Sequence, residues 1–192
     1  MRKRGWLFWL GSALMTGGAV LLGLYGWRLH EAASAQRRAR QLLRQEVVRL
    51  PASTRPEIRR PNRGDVIGEI QIPRLDLSVV IFEGDDAGIL KQGAGHIPQT
   101  ALPASSGNIG VAAHRDTYFR PLRLIRLNDL IELKTPAGVS RYAVTETKIV
   151  QPSDIGVLDR APGRDLTLVT CYPFYYIGHA PKRFIVHARK IG

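Results

Sequence analysis

The stretch Leu166-Thr-Leu-Val-Thr-Cys-Tyr-Pro-Phe-Tyr-Tyr-Ile-Gly-His-Ala-Pro-Lys-Arg-Phe-Ile-Val-His-Ala188 reads as two strands joined by one loop. Its first part is short, apolar and β-branched, the pattern of a buried strand. Pro173 ends that strand, because proline has no N–H to give to a ladder. The one cysteine of the chain, Cys171, therefore stands at a strand's last residue, beside a loop. Twelve residues on, Arg183 opens the second strand. A thiol and a guanidinium at neighbouring strand ends look like a nucleophile and an anion stabiliser.

Working back from this pair, the same pattern recurs along residues 64–192. Val66–Pro73 alternates, with Ile70 and Ile72 on one face, and Leu77–Phe82 is a second strand. Asp85–Lys91 reads as one short helix with an aspartate cap. Residues 92–107 have loop composition, and Asn108–His114 is a third strand. Leu130–Lys134 and Ser140–Val150 read as a hairpin around Gly138, with a helical turn expected within Ser153–Leu158. Seven or eight short strands with few helical residues predict an all-β barrel or sandwich.

The N-terminal third is different. Trp6–Trp27 carries no charged side chain, is long enough to cross a bilayer, and has Trp at both ends. Its five glycines suit a membrane helix better than a soluble one. A cleaved signal peptide is the competing reading, with Ala33-Ser34-Ala35 as the cleavage site, but its apolar core would be unusually long. Arg2, Lys3 and Arg4 favour a cytoplasmic stub over residues 1–5, although several arginines follow the span as well. Residues 28–63 read as a basic helix ended by Pro51 and a spacer containing Pro56 and Pro61. The domains expected are thus a stub (1–5), a membrane helix (6–27), a linker (28–63) and an all-β domain (64–192), which the resemblance described below makes a catalytic barrel.

Charge follows this division. Residues 1–63 hold 13 basic and 3 acidic side chains; residues 64–192 hold 15 and 13. The folded part is nearly neutral, which argues against a nucleic-acid partner and leaves the basic tail to anionic lipid headgroups. A lone cysteine allows no internal disulfide.

A cysteine nucleophile needs a partner to activate it, usually histidine. Among the five histidines, His30 is interfacial, while His179 and His187 read as structural. His96 sits between glycines in a loop that could line a site. His114 ends a strand, as Cys171 does, beside the small Ala112 and Ala113 and before Arg115-Asp116. His114 and Asp116 supply at most two metal ligands, and no G-x-S-x-G elbow exists, so metal and serine-hydrolase readings are weak. No metal or cofactor is expected.

Thr167-Leu168-Val169-Thr170-Cys171 resembles the T-L-x-T-C signature of sortases. The runs Cys171–Val186 and Gly107–Thr117 are most similar to class D sortases, over about residues 64–190. The resemblance implies a closed eight-stranded β-barrel and a cysteine transpeptidase. Its substrates would be surface proteins bearing a C-terminal Leu-Pro-x-Thr-Gly or Leu-Pro-x-Thr-Ala sorting signal, and its acceptor an amine. It implies Cys171 as nucleophile, His114 as proton donor and acceptor, and Arg183 as transition-state stabiliser. Thr170 is a candidate substrate contact, and loops 151–165 and 172–182 would shape the peptide groove. The enzyme would be a single-pass membrane protein with its catalytic domain outside the cytoplasm. Two alternatives stand beside this reading. An L,D-transpeptidase would carry its histidine close before the cysteine, whereas His114 lies 57 residues upstream. A non-enzymatic membrane-tethered β-domain would bury Cys171 inert.

Overall fold

The computed structural model describes residues 3–49, 60–103, 105–159, 164–176 and 178–191. The chain divides into two compact units, residues 1–35 and 36–192.

The described residues of the first unit, 3–35, lie within helix α1, Lys3–Arg49. Trp9–Trp27 is long and apolar enough to cross a bilayer, and none of that stretch is buried within the protein. Trp9, Leu14, Met15, Leu22 and Trp27 are all largely exposed, as suits side chains whose solvent is lipid.

The second unit is a closed barrel of eight strands: β1 (Val66–Ile72), β2 (Leu77–Glu83), β3 (Ala94–His96), β4 (Gly107–Ala112), β5 (Leu130–Thr135), β6 (Gly138–Val150), β7 (Arg164–Tyr172) and β8 (Lys182–Lys190). Around the barrel the order is β1-β2-β3-β4-β7-β8-β6-β5. Two pairings are parallel, β2 with β3 and β4 with β7, and the others are antiparallel. The barrel expected from the resemblance is present. Its interior holds Ile70, Ile72, Val79, Ile109, Val111, Ile131, Leu133, Leu166, Leu168 and Val186 among others, and Phe119 and Leu122 also belong to this core. Burying one such side chain fully contributes about 1.5–3 kcal/mol.

Strand β3 falls in the stretch expected as loop. Ala94-Gly95-His96 has no β-branched residue, so nothing in its composition marks a strand. What makes it one is a close approach: a Cβ on Gly95 would lie 2.2 Å from the Gly84 carbonyl oxygen. The short helix α2 (Ala87–Leu90) is capped by Asp86, whose Oδ1 accepts from the Gly88 and Ile89 amides. A 3₁₀ segment, Ile155–Leu158, occupies the expected helical turn, and another covers Arg120–Leu124.

Part of the stretch expected as linker packs on the barrel. Ala39 and Leu43 of α1 form a second apolar cluster with Val80, Phe82 and Ile89. Gln36 accepts from the Val80 amide (3.0 Å) and donates to the Gln92 carbonyl. Arg40 pairs with Glu69 (3.0 Å) and donates to Ser78. The helix end expected at Pro51 lies outside the described residues, as does most of the proline-containing spacer.

Candidate active site

Side chains along a strand point alternately to its two faces. On β7, Leu166 and Leu168 join the barrel core, so Thr167, Val169 and Cys171 belong to the outer face. The antiparallel register sets Cys171 opposite Arg183, Val169 opposite Ile185 and Thr167 opposite His187. On the other side of β7, the parallel register sets Ala112 beside Val169 and Gly110 beside Thr167. The Ala113 amide carries this ladder one step further by donating to the Val169 carbonyl (3.2 Å). His114 follows one residue later, just past the end of β4. Cys171 and Arg183 thus share the outer face, and His114 follows the end of β4, the strand on the other side of β7. All three side chains are part-buried. Cys171 is a free thiol.

Each neighbour is held locally. The His114 carbonyl accepts from the Phe119 amide (2.9 Å), closing the turn that follows β4. Arg183 Nη1 donates to the carbonyls of Ala180 (3.3 Å) and Lys182 (3.1 Å). Tyr172, Phe174 and Phe184 pack edge-to-face and stacked, with ring centres 5.3–6.4 Å apart. Their packing braces the start of the loop after Cys171.

Thr170, expected to touch substrate, instead faces inward. It is 2 % exposed, and its hydroxyl donates to the Ala113 carbonyl (2.7 Å). The strand alternation that turns Cys171 outward turns its neighbour in. Thr170 fixes the carbonyl one residue before His114. Thr167 is buried as well, and its hydroxyl donates to Asn108 Oδ1 (2.9 Å). Its lone pair therefore accepts from His187 Nδ1 (3.0 Å). Burial holds His187 below the usual imidazole range.

His96, weighed from sequence as lining a site, is 1 % exposed and belongs to the scaffold. Its Nδ1 meets Glu83 Oε2 (2.8 Å), and its Nε2 meets the Ala101 carbonyl (3.0 Å). His179 stands exposed on the loop after β7. Among the described residues, no three His, Cys, Asp or Glu side chains come together as a metal site. A polar cavity of about 480 Å³ opens lower on the outer face. Asn108, Glu146, Asp154, Asp159, Asp165 and His187 help line it, and Cys171, His114 and Arg183 do not.

One contact had no sequence signal. Arg115 Nη2 donates to the carbonyls of Tyr176 (2.7 Å) and Gly178 (3.0 Å), and its guanidinium lies 5.8 Å from the centre of the Tyr176 ring. The residue after His114 thus ties down the loop after Cys171. Only the fold brings these two segments together.

The family model described as "Sortase domain" matches residues 70–191. Sortase D of Bacillus subtilis (strain 168) is 35% identical over 133 residues, which are 69% of this chain and 67% of that protein. Sortase A of Streptococcus agalactiae is 32% identical over 64% of this chain, and the match spans about half (52%) of that relative. Among solved structures, the Clostridium perfringens Sortase D5 transpeptidase superposes with a TM-score of 0.74 at 26% identity, covering 83% of this chain and 99% of that one.

Proposed function

The chain belongs to the sortase family of cysteine transpeptidases, and from that premise we propose that it is a membrane-anchored enzyme that cleaves a Leu-Pro-x-Thr-Gly or Leu-Pro-x-Thr-Ala sorting motif after threonine and passes the protein to an amine. The observation that supports this reading is Cys171 set opposite Arg183 across β7 and β8, with His114 just past the end of β4, which pairs with β7.

In the first half-reaction, the Cys171 thiol passes its proton to His114 as the sulfur forms a bond to the threonine carbonyl carbon, and the carbonyl π pair moves to oxygen. Arg183 stands on the β8 side with a permanent positive charge and several donors for that oxyanion. The oxyanion collapses to a thioester and the C–N bond breaks. His114, on the β4 side, gives the leaving amine its proton. An entering amine then attacks the thioester, gives a proton to His114 and displaces the thiolate. The groove for the motif runs between loops 151–165 and 172–182. Trp9–Trp27 holds the domain at the membrane, with Arg2, Lys3 and Arg4 on the cytoplasmic side and the barrel outside.

Thr170 enters this scheme as a positioning residue. Thr170→Val keeps the shape of the side chain but leaves the Ala113 carbonyl unpaired in the barrel wall. It is expected to cost about 1–2 kcal/mol of stability, seen as a lower denaturation midpoint. Turnover is expected to fall as well, with little change in KM, because His114 is displaced. A variant with full kcat and a lowered midpoint would leave Thr170 a purely structural role.

The reading is tested with the full chain in non-ionic detergent, a Leu-Pro-x-Thr-x peptide library and an excess of a simple amine. Cleavage after threonine, an acyl adduct on Cys171 by mass spectrometry and an amide product are expected. A library in which no member is cleaved would sink the proposal.

A further inference from the structure

Residues 120–130 read Arg-Pro-Leu-Arg-Leu-Ile-Arg-Leu-Asn-Asp-Leu, a composition unlike an ordinary solvated connector. Leu122 turns inward and fixes the 3₁₀ segment Arg120–Leu124 to the barrel core. Leu124, Leu127 and Leu130 turn outward, with exposures of 57, 61 and 36 %. Arg120, Arg123 and Arg126 are interleaved with them and are exposed as well. A single apolar side chain in water is ordinary, but three within seven residues, alternating with arginines, form a surface patch.

The patch keeps most of its charge for an outside partner. Asp129 is the one carboxylate in the segment; it is buried and committed to Arg74, which donates to both of its oxygens. Arg74 also donates to the Leu124 carbonyl (2.6 Å), so the segment is pinned from beneath. Among the described residues six ion pairs form, and none includes Arg120, Arg123 or Arg126. The Arg123 guanidinium lies 5.8 Å from the centre of the Tyr175 ring, and Tyr175 is itself exposed. The patch therefore continues onto the loop after Cys171. Leucine, arginine and tyrosine exposed together suit a bilayer interface, where apolar parts reach the acyl boundary and guanidinium groups meet phosphate.

The chain itself brings such a surface within reach. Trp27 ends the stretch able to cross a bilayer, and Gln36 follows nine residues later, a covalent reach of at most roughly 30 Å. Gln36 donates to the Gln92 carbonyl, and the Tyr118 hydroxyl donates to the same oxygen (3.0 Å). Residue 120 follows Tyr118 by two, so the patch begins close to where α1 enters the barrel unit. We infer that residues 120–130 dock on the membrane surface, with Leu124 and Leu127 entering the headgroup region and Arg120, Arg123 and Arg126 binding anionic phospholipid. This inference rests on the membrane-anchored reading above and adds a second, reversible contact beside the span.

The test uses the full chain in nanodiscs of phosphatidylcholine, alone or mixed with an equal part of phosphatidylglycerol. A Cys171→Ala, Leu127→Cys chain carries one environment-sensitive fluorophore on its one thiol. Val139→Cys in the same background is the control, since Val139 is exposed beside the turn of the β5–β6 hairpin and Leu130 lies at its open end. The reporter at position 127 is expected to be quenched by lipid spin-labelled just below the headgroup in the anionic discs, and far less in phosphatidylcholine. Each of Arg120→Gln, Arg123→Gln and Arg126→Gln should weaken docking by roughly fivefold, and the three together by about a hundredfold, with denaturation midpoints unchanged. Salt at about 0.5 M should weaken it as well. Equal quenching in the two discs, equal quenching at positions 127 and 139, or quenching that the triple variant keeps overturns the inference. So does a reporter in detergent that responds to protein concentration or to soluble polyphosphate as strongly as to anionic discs, since the occupant is then a second copy or a free polyanion. A chain that fails to co-elute with either disc overturns the anchor reading, and this inference with it.

Discussion

A Cys171→Ala chain is expected to fold and to have no measurable turnover of sorting-motif peptide, a loss of at least about 10⁴-fold. The size of the effect follows from what the sulfur does. It makes and breaks the covalent bond, and no other cysteine exists to replace it. The fold should tolerate the change, because Cys171 is only half-buried at the end of β7 and lies outside the core cluster. Far-ultraviolet dichroism and the denaturation midpoint therefore serve as controls for peptide cleavage followed by chromatography. Alkylation by iodoacetamide gives the complementary measurement, since the native chain should take one adduct and the variant none. A variant that cleaves as fast as the native chain would end the assignment of Cys171 as nucleophile. A native thiol that resists alkylation until the chain is unfolded would favour a non-enzymatic tethered domain.

Arg183→Ala is expected to lower kcat by about 10²–10³-fold with a much smaller change in KM. An oxyanion donor acts most strongly on charge that exists only in the transition state. Its removal should leave ground-state binding mainly to the groove walls. Arg183→Lys should recover part of the loss, since it restores the charge without the planar fork that serves two acceptors at once. In the structure one nitrogen of that fork, Nη1, donates to two carbonyls, those of Ala180 and Lys182, which keeps it at the mouth of the loop. Single-turnover measurement of thioester formation separates chemistry from product release. An unchanged kcat with a raised KM would make Arg183 a substrate-binding residue.

The barrel was largely legible because most of its strands advertise themselves. Val66–Ile72, Leu77–Glu83 and Leu130–Thr135 are β-branched or alternating and bounded by Pro, Gly or Asp. Ala94–His96 does not, since a three-residue strand built on glycine is defined by what it fits against. Cys171 and Arg183 could be paired from sequence because one loop joins their strands, so the register is local. His114 could be suspected as a strand-end residue, but its place beside Cys171 depends on the parallel pairing of β4 with β7. Some 50 residues separate those strands, and no periodicity encodes their contact. Thr170 looked available because it adjoins the nucleophile, yet neighbours on a strand face opposite ways. His96 looked available because glycines flank it, and that openness in sequence proved to be tight backbone packing around a buried ring. Arg115 and Arg123 were unremarkable cations until the fold set them against the loop after Cys171.

Gln36 has a practical consequence for anyone preparing this domain free of its membrane helix. Beyond the short β3, the backbone of β2 at Val80 is satisfied by a side chain from α1. The fit at Gly93 is close: a Cβ there would come 2.5 Å from Gln36 Nε2. A chain cut just before Asp65 keeps all eight strands but loses Gln36, Ala39 and Leu43. The Val80 amide and the apolar faces of Val80 and Phe82 are then uncovered together. An unpaired backbone edge beside bare apolar side chains is a template for joining another molecule. The useful point of release is therefore upstream of residue 36, where the cut chain carries its own plug.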